Sequence, residues 1–118
     1  MMDLFKVRDG FDVITLTDGT VYEIELLDPR PLPKNIGRNK ELMIRLRNFV
    51  PTDNMVKWLN VESVKYFEDL LLQKGDWLRE QQRFSDAYGH YALVDQVAPE
   101  WEGLEQRKQL LLVENARW

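Results

Sequence analysis

The hydrophobic pattern changes its period once along the chain, and this change limits the folds that are open to it. Before Phe67, apolar and polar residues alternate over short runs, which is typical of half-buried strands. From Glu68 onward, apolar residues recur every three or four positions, which is typical of amphipathic helices. The sequence therefore predicts an α+β protein, with strands in residues 1–67 and helices in residues 68–118.

The strongest local signal is a hairpin pattern in residues 11–27, FDVITLTDGTVYEIELL. Asp18 and Gly19 separate two runs of β-branched and aromatic residues, and an Asp-Gly pair favours a two-residue type I′ turn. Such a turn pairs Glu23 with Ile14. Because this pairing places a glutamate opposite a residue expected to be buried, it predicts a bulge or a sharp bend near Glu23.

Further short strands are expected after a proline-rich loop over residues 28–40. Residues 42–49, LMIRLRNF, alternate as a half-buried strand does, and a turn is expected at residues 51–54. Two strand segments follow, MVKWLN in residues 55–60 and VKYF in residues 64–67. Four or five such short strands cover a core only by curling over one another, so they predict a small barrel.

Three helices are expected in the second half of the chain. The first begins near Glu68, and the second fits residues 84–97, with Ser85 as a cap near its start. The third starts at residues 99–100, where proline suits a first helical turn and a carboxylate meets the helix dipole favourably. The expected apolar face of the third helix consists of Trp101, Leu104 and Leu111.

The helical segment LLLQKGDWLREQQRFSDAYGHYALVDQVAPEW resembles one tetratricopeptide repeat. Gly75 and Leu78 fall at the family's first-helix glycine and at its aromatic or leucine position. The second-helix signature positions are occupied by Phe84, Ala87, Tyr91 and Pro99. The segment departs from the family at Val94, where alanine is usual, and at Leu71, where tryptophan is frequent. The resemblance implies that Gly75 and Ala87 lie where two helices approach closely.

The same resemblance implies a capping helix and a ligand face. Residues 102–118 resemble the first helix of a following repeat without its glycine, so they are expected to cap the helical pair. In this family the ligand usually lies against the inner face of the first helix. The candidate partner-binding residues selected in this way are Asp69, Leu72, Asp76 and Arg79. The alternative is that the strand-rich half or the third helix covers this face, so that the four residues are structural.

The first half resembles the SH3-like and Sm-like small barrels. The Leu-x-Asp-Gly hairpin and the passage KWLNVESVKYFE carry this resemblance, which covers about half of the chain. The order of a short strand-rich unit and a helical pair also resembles a group of uncharacterised bacterial proteins. The domain prediction is a small SH3-like barrel in residues 1–67, followed by a tetratricopeptide-like helical hairpin and a capping helix in residues 68–118.

No residue pattern indicates catalysis. The chain has no cysteine and one histidine, His90, so cysteine-ligated zinc and a histidine metal site are excluded. Asp86 lies one helical turn before His90, but a surface histidine beside an aspartate is the favoured interpretation. Neither a glycine-rich phosphate loop nor a nucleophile elbow is present. The sequence predicts a protein that is not an enzyme and has no cofactor and no metal site; a small hydrolase that uses acidic residues is a distant alternative.

Charge is unevenly distributed along the chain, which has a net charge of -4. Residues 1–67 carry ten basic and ten acidic residues, whereas residues 68–118 carry six and ten. One basic stretch in the first half consists of Arg30, Lys34, Arg38, Lys40, Arg45 and Arg47. It indicates nucleic-acid binding through the barrel as the alternative function. Against this, aromatic residues are not interleaved with it, and Trp58 is interpreted as a core residue.

The predicted function is a non-enzymatic module for protein interaction or assembly, with a protein or a peptide as its partner. The apolar runs are far shorter than the roughly 20 residues that span a bilayer. No signal-peptide pattern is visible at the start of the sequence. The expected location is therefore the cytoplasm, unless the chain is a piece of an exported protein.

Overall fold

A computed structural model describes residues 10–47 and 52–116 of the chain. The described residues form two compact units: residues 10–47 and 52–67 make up the strand-rich unit, and residues 68–116 make up the helical unit. The strands of one antiparallel sheet precede three helices in chain order. The α+β class and the order of strands before helices are therefore confirmed.

The strand-rich unit contains a five-stranded antiparallel sheet. The strands are β1 (Asp12–Leu16), β2 (Val21–Ile24), β3 (Glu41–Leu46), β4 (Thr52–Lys57) and β5 (Val61–Lys65). Strand β5 returns to pair with β1, so the order across the sheet is β4-β3-β2-β1-β5. A short 3-10 helix, Trp58–Asn60, connects the two edge strands β4 and β5. The likeness to SH3-like barrels stays a prediction.

The hairpin between β1 and β2 forms where the sequence predicts it, but the two-residue turn and the bulge near Glu23 are both wrong. Ile14 pairs with Tyr22 in an unbroken ladder, and Glu23 lies on the exposed face. The backbone N–H of Leu16 donates to the carbonyl oxygen of Thr20 at 2.8 Å, which closes a three-residue loop over residues 17–19. Gly19 within this loop has a φ of 90°, a left-handed conformation that glycine adopts without a steric penalty.

The boundaries of the later strands also differ from those predicted. Alternation in residues 42–46 is confirmed, since the inward side chains are buried or half-buried. Residues 52–54, which were expected in a turn, pair with β3 as part of β4. Trp58–Asn60 is a 3-10 helix and not a strand, and residues 61–63, expected as a separator, belong to β5. Residues 48–51, which include the predicted end of the strand over residues 42–49 and the start of the predicted turn, lie outside the described part of the chain.

The proline-rich loop packs on the sheet and is not simply exposed. The buried core of the strand-rich unit consists of Ile14, Ile24, Leu27, Leu32, Ile44 and Leu46. Leu32 comes from the loop, and its backbone N–H donates a hydrogen bond to the hydroxyl oxygen of Tyr66 at 2.8 Å. Ile36, also from the loop, packs against the same core. The loop therefore contributes apolar side chains that bury sheet residues.

A buried carboxylate connects this loop to the strands. Asp12 is 0% exposed and accepts hydrogen bonds from the backbone N–H groups of Leu27 and Phe67, at 2.8 and 2.9 Å. Arg30 donates to both carboxylate oxygens of Asp12, from Nη1 at 2.6 Å and from Nη2 at 2.8 Å. The Arg30 guanidinium also lies over the Tyr66 ring, 5.4 Å from its centroid. Three separate segments of the chain thus meet at one side chain.

The substitution Asp12→Asn should lower the free energy of unfolding by about 3–5 kcal/mol, because it leaves the Arg30 guanidinium without its countercharge in a buried site. Urea unfolding at neutral pH measures this loss. Asp53→Asn is the matched control, since Asp53 pairs with Arg45 at 2.7 Å on the surface, where such a pair contributes about 0–1 kcal/mol. Equal losses in the two variants would contradict the assigned role of burial.

The helical unit contains three helices: α1 (Phe67–Glu80), α2 (Phe84–Val97) and α3 (Leu104–Asn115). The bounds predicted for the second helix are confirmed. Ser85 lies inside α2 and does not precede it, so its predicted capping position is wrong. The third helix does not begin at residues 99–100, because Gly103 adopts a φ of 88° immediately before α3. Trp101 therefore lies outside α3, whereas the other two residues of the predicted apolar face are buried.

Helices α1 and α2 approach closely at Gly75. A Cβ atom on Gly75 would lie 2.5 Å from Cε1 of Tyr91, a distance at which one of the two groups must move. Ala87, the second small residue of the expected contact, is 0% exposed. A larger side chain at Gly75 therefore has no room unless the Tyr91 ring shifts.

Gly75→Ala should destabilise the protein although alanine is the better helix former. Overpacking costs about 1–3 kcal/mol, and the helix propensity of alanine offsets about 1 kcal/mol of this. Denaturant unfolding of the variant measures the net change. At Gly37 a new Cβ would have no atom within 4 Å, so Gly37→Ala is the control and should leave stability nearly unchanged. A more stable Gly75→Ala variant would show that the ring moves aside without cost.

Candidate functional site

The four predicted partner-binding residues lie on α1 and contact other parts of the helical unit. Leu72 is 1% exposed. Asp69 accepts a hydrogen bond through Oδ1 from Nε1 of Trp101 at 2.8 Å. Arg79 donates from Nη1 to Oε1 of Glu114 at 2.8 Å. These contacts join the inner face of α1 to α3 and to the segment that precedes it.

Asp76 lies at the centre of this hydrogen-bond network. It accepts from the Tyr91 hydroxyl at 2.6 Å and from Nε of Arg107 at 2.9 Å. Burial and the hydrogen bond to the Asp76 carboxylate raise the pKa of Tyr91 to about 12. Such a network favours the alternative in which the third helix covers the face of α1, and the partner-binding role of these residues stays a prediction.

The substitution Asp76→Lys separates the two roles. It places an ammonium group beside Arg107 and removes the acceptor of the Tyr91 hydroxyl, so we expect a loss of about 1–3 kcal/mol and a lower melting temperature. Thermal unfolding followed by circular dichroism measures the change. Glu80→Lys, at an exposed position of the same helix, is the charge-matched control and should melt as the wild type does. An unchanged melting temperature for Asp76→Lys would favour a binding face instead.

The six residues of the predicted basic stretch fall into two groups. Three of them form ion pairs within the strand-rich unit: Arg30–Asp12 at 2.6 Å, Arg45–Asp53 at 2.7 Å and Arg47–Glu23 at 3.9 Å. The Arg45 guanidinium lowers the pKa of the Asp53 carboxyl through their hydrogen bond. Lys34, Arg38 and Lys40 are exposed, and none of them has an ion pair with another residue of the described ranges. Within this basic stretch, the cations that have no ion pair in the described ranges therefore all lie in residues 34–40.

A groove with a volume of about 440 Å³ lies beside these residues, between the proline-rich loop and the 3-10 helix. Its apolar lining consists of Pro29, Leu32, Pro33, Ile36, Leu42 and Trp58. Asp28, Lys40 and Glu41 supply its charged groups. An apolar lining with a few polar groups is the usual composition of a ligand pocket, and the volume is within the usual range.

Backbone hydrogen bonds hold both walls of the groove. On one side, Leu32 is anchored in the core and donates to the Tyr66 hydroxyl. On the other side, the backbone N–H of Trp58 donates to the carbonyl oxygen of Lys40 at 2.8 Å, which ties the 3-10 helix to the end of the loop. Because both walls are fixed by the fold of one unit, the groove is formed before any ligand binds.

Trp58 gives the groove an aromatic surface with a hydrogen-bond donor. The side chain packs partly against the core of the strand-rich unit and is half-buried. Its indole N–H has no hydrogen-bond acceptor among the residues that the structure describes. An aromatic ring with an available polar group is a common recognition element in binding sites. The core role expected from the sequence therefore accounts for only part of the side chain, which also lines the groove.

No motif marked the groove in the sequence, because its walls come from segments that are distant along the chain. Residues 28–40 were expected to be an exposed loop. The sign that was present is the pair Leu32 and Ile36, two aliphatic residues in a loop that is otherwise polar and proline-rich. A fully solvated loop has no need of such residues, so their presence indicates packing or binding.

His90 is not the surface residue that its sequence position suggested. It is 7% exposed, and Nδ1 lies 2.8 Å from the backbone carbonyl oxygen of Asp86. The Asp86 carboxylate instead pairs with Arg83 at 2.6 Å. Within the described ranges, no cluster of three or more His, Asp or Glu side chains could hold a metal ion. Those ranges also contain no helix with the length and the apolar character that crossing a membrane requires.

Comparison with known proteins does not assign the chain to a family. No family model matches it, and no curated protein or solved structure is significantly similar to it. The tetratricopeptide and small-barrel resemblances therefore remain predictions, and the function has to be argued from the surface of the molecule.

Proposed function

We propose that this protein is a non-enzymatic interaction module whose groove binds an extended segment of a partner protein. The observation that carries the proposal is a preformed, apolar groove in which the indole N–H of Trp58 has no acceptor among the described residues. A bound peptide backbone offers carbonyl oxygens as acceptors and apolar side chains for the lining. The inner face of α1 is the weaker candidate, because its carboxylates already accept hydrogen bonds from Tyr91, Trp101 and Arg107.

The charges near the groove indicate what kind of peptide would bind there. The lining itself carries Lys40 beside the carboxylates of Asp28 and Glu41, and its sequence neighbours Lys34 and Arg38 add two positive charges without ion pairs in the described ranges. The local balance is therefore slightly positive. A peptide with aliphatic or proline residues and one acidic residue matches this surface in both shape and charge.

Peptides selected from a random phage-displayed library against the folded protein test this function. We expect the selected peptides to shift the indole N–H resonance of Trp58 in a ¹H–¹⁵N spectrum, since Trp58 lines the groove. The chain has four tryptophans, so the variant Trp58→Phe assigns the resonance by its loss. If the bound peptides shifted only resonances of residues 68–116, the groove would not be the binding site. If no peptide could be selected, the proposed function itself would be wrong.

A pair of aliphatic substitutions tests whether the groove supplies the affinity. Ile36→Ser should weaken peptide binding about tenfold or more, because a buried aliphatic contact contributes about 1.5 kcal/mol or more. Leu26→Ser removes an exposed leucine of the same unit outside the groove lining and should leave affinity unchanged. Fluorescence anisotropy gives both affinities, and a thermal melt confirms that each variant is folded. Equal affinities for the two variants would contradict the proposal.

Nucleic-acid binding is the second candidate function, favoured by the three cations on residues 34–40. It is weaker than the first, because Arg30, Arg45 and Arg47 are paired with carboxylates. A gel shift with single-stranded RNA and duplex DNA over a range of salt concentrations tests it. A salt-dependent shift that disappears when Lys34, Arg38 and Lys40 are all changed to Glu would establish this candidate, whereas the peptide function predicts no shift.

A further inference from the structure

Two methionines occupy facing positions on the outer side of the sheet. Met43 of β3 and Met55 of β4 are directly opposite each other in the antiparallel ladder. Their side chains are 58% and 53% exposed, although methionine is one of the residues most often buried in proteins. Opposite residues of a ladder have Cβ atoms about 4.5–5.5 Å apart, so the two thioethers belong to one surface patch.

The core of the strand-rich unit lies on the other face of these strands. Ile44, the next residue of β3, is 1% exposed and belongs to the buried core. Leu42, which precedes Met43, packs against that core and lines the groove. Since successive side chains of a strand point to opposite faces, the Met43 thioether fills neither the core nor the groove. A chemical change at this sulfur therefore does not alter the packing of either.

Charged residues flank the methionine pair on both sides. Along the same face of the two strands, Arg45 pairs with Asp53 at 2.7 Å, and Glu41 is the cross-strand neighbour of Lys57. A methionine sulfoxide is polar, and its oxygen accepts hydrogen bonds. Water and the neighbouring cations can donate such bonds, so this surface accommodates oxidised methionine as readily as the reduced form.

We propose that Met43 and Met55 form a site of reversible oxidation, at which hydrogen peroxide transfers one oxygen atom to each thioether while the protein stays folded. The sulfur lone pair attacks one peroxide oxygen, and the O–O bond breaks. The proton of the transferred oxygen passes to the departing hydroxide, which leaves as water. Each sulfur thereby loses two electrons to the peroxide and becomes a sulfoxide. The chain has no cysteine, so thioethers are its only sulfur groups.

Exposure also makes the oxidation reversible. Methionine sulfoxide reductases act on the two sulfoxide epimers, one enzyme for each. In this reduction the sulfoxide oxygen leaves as water, while two thiols of the reductant become a disulfide. A sulfoxide on the open face of a sheet is accessible to these enzymes, whereas a sulfoxide in a core is not. The pair can therefore consume peroxide in repeated cycles without loss of the protein.

Tandem mass spectrometry after timed exposure to hydrogen peroxide tests the site. The variant Ile44→Met supplies an internal control, because it adds a thioether to the same strand at a position that is 1% exposed. A swap between aliphatic side chains of similar volume is usually tolerated, and a thermal melt confirms that the variant is folded. We expect Met43 and Met55 to gain oxygen at least tenfold faster than the introduced sulfur. Equal rates at the three positions would overturn the proposal.

A second test uses the wild type and the double variant Met43→Leu/Met55→Leu, both treated with the same peroxide. The other two methionines of the chain, Met1 and Met2, are present in both proteins. Oxidation should lower the melting temperature of the wild type by no more than about 3 °C beyond its effect on the double variant, because surface changes have small effects on stability. The two reductases with dithiothreitol should then remove the oxygens from positions 43 and 55. A larger fall, or sulfoxides at these positions that resist reduction, would overturn the proposal.

Discussion

The buried carboxylate of Asp12 is the constraint on which the strand-rich unit depends. An ionised group without exposure to water is tolerated only when it is paired and fully hydrogen-bonded, and the chain meets this requirement with donors from two distant segments, residues 27–30 and Phe67. Arg30 supplies the countercharge, so the start of the proline-rich loop is held against β1. Leu32 follows two residues later and forms part of the groove wall. The shape of the candidate site is thus a consequence of one ion pair outside it.

The order of the elements could be predicted from the sequence because it depends on local periodicity. Helix α2 was located correctly, since the apolar spacing and the following proline define its extent within one segment. The hairpin register could not be predicted in the same way, because an Asp-Gly pair is compatible with more than one loop length. The choice is made by Ile14 and Ile24, which are both buried when the loop contains three residues. The start of α3 depends on the left-handed Gly103, which no periodicity reveals.

The candidate sites differ in how far the sequence could reveal them. Spacing correctly placed the four residues of α1 on one face, but it could not show what covers that face. Their partners Trp101, Arg107 and Glu114 lie more than thirty residues later in the chain. Likewise, the basic stretch was visible as a run of charges, yet half of it is neutralised by carboxylates that lie elsewhere in the sequence. Which faces are covered and which charges are paired therefore cannot be predicted from the sequence without the three-dimensional structure.

Strand β4 lies at one edge of the sheet, and its outer backbone edge is a potential template for strand pairing with another molecule. Its exposed residues include Asp53 and Lys57, each cross-strand from a residue of opposite charge, Arg45 and Glu41. A foreign strand that docked on this edge would bring its side chains next to those charged pairs. Stacked copies of the chain would repeat like charges at each level. The polar character of β4 therefore protects the chain against fibrillar aggregation through this edge.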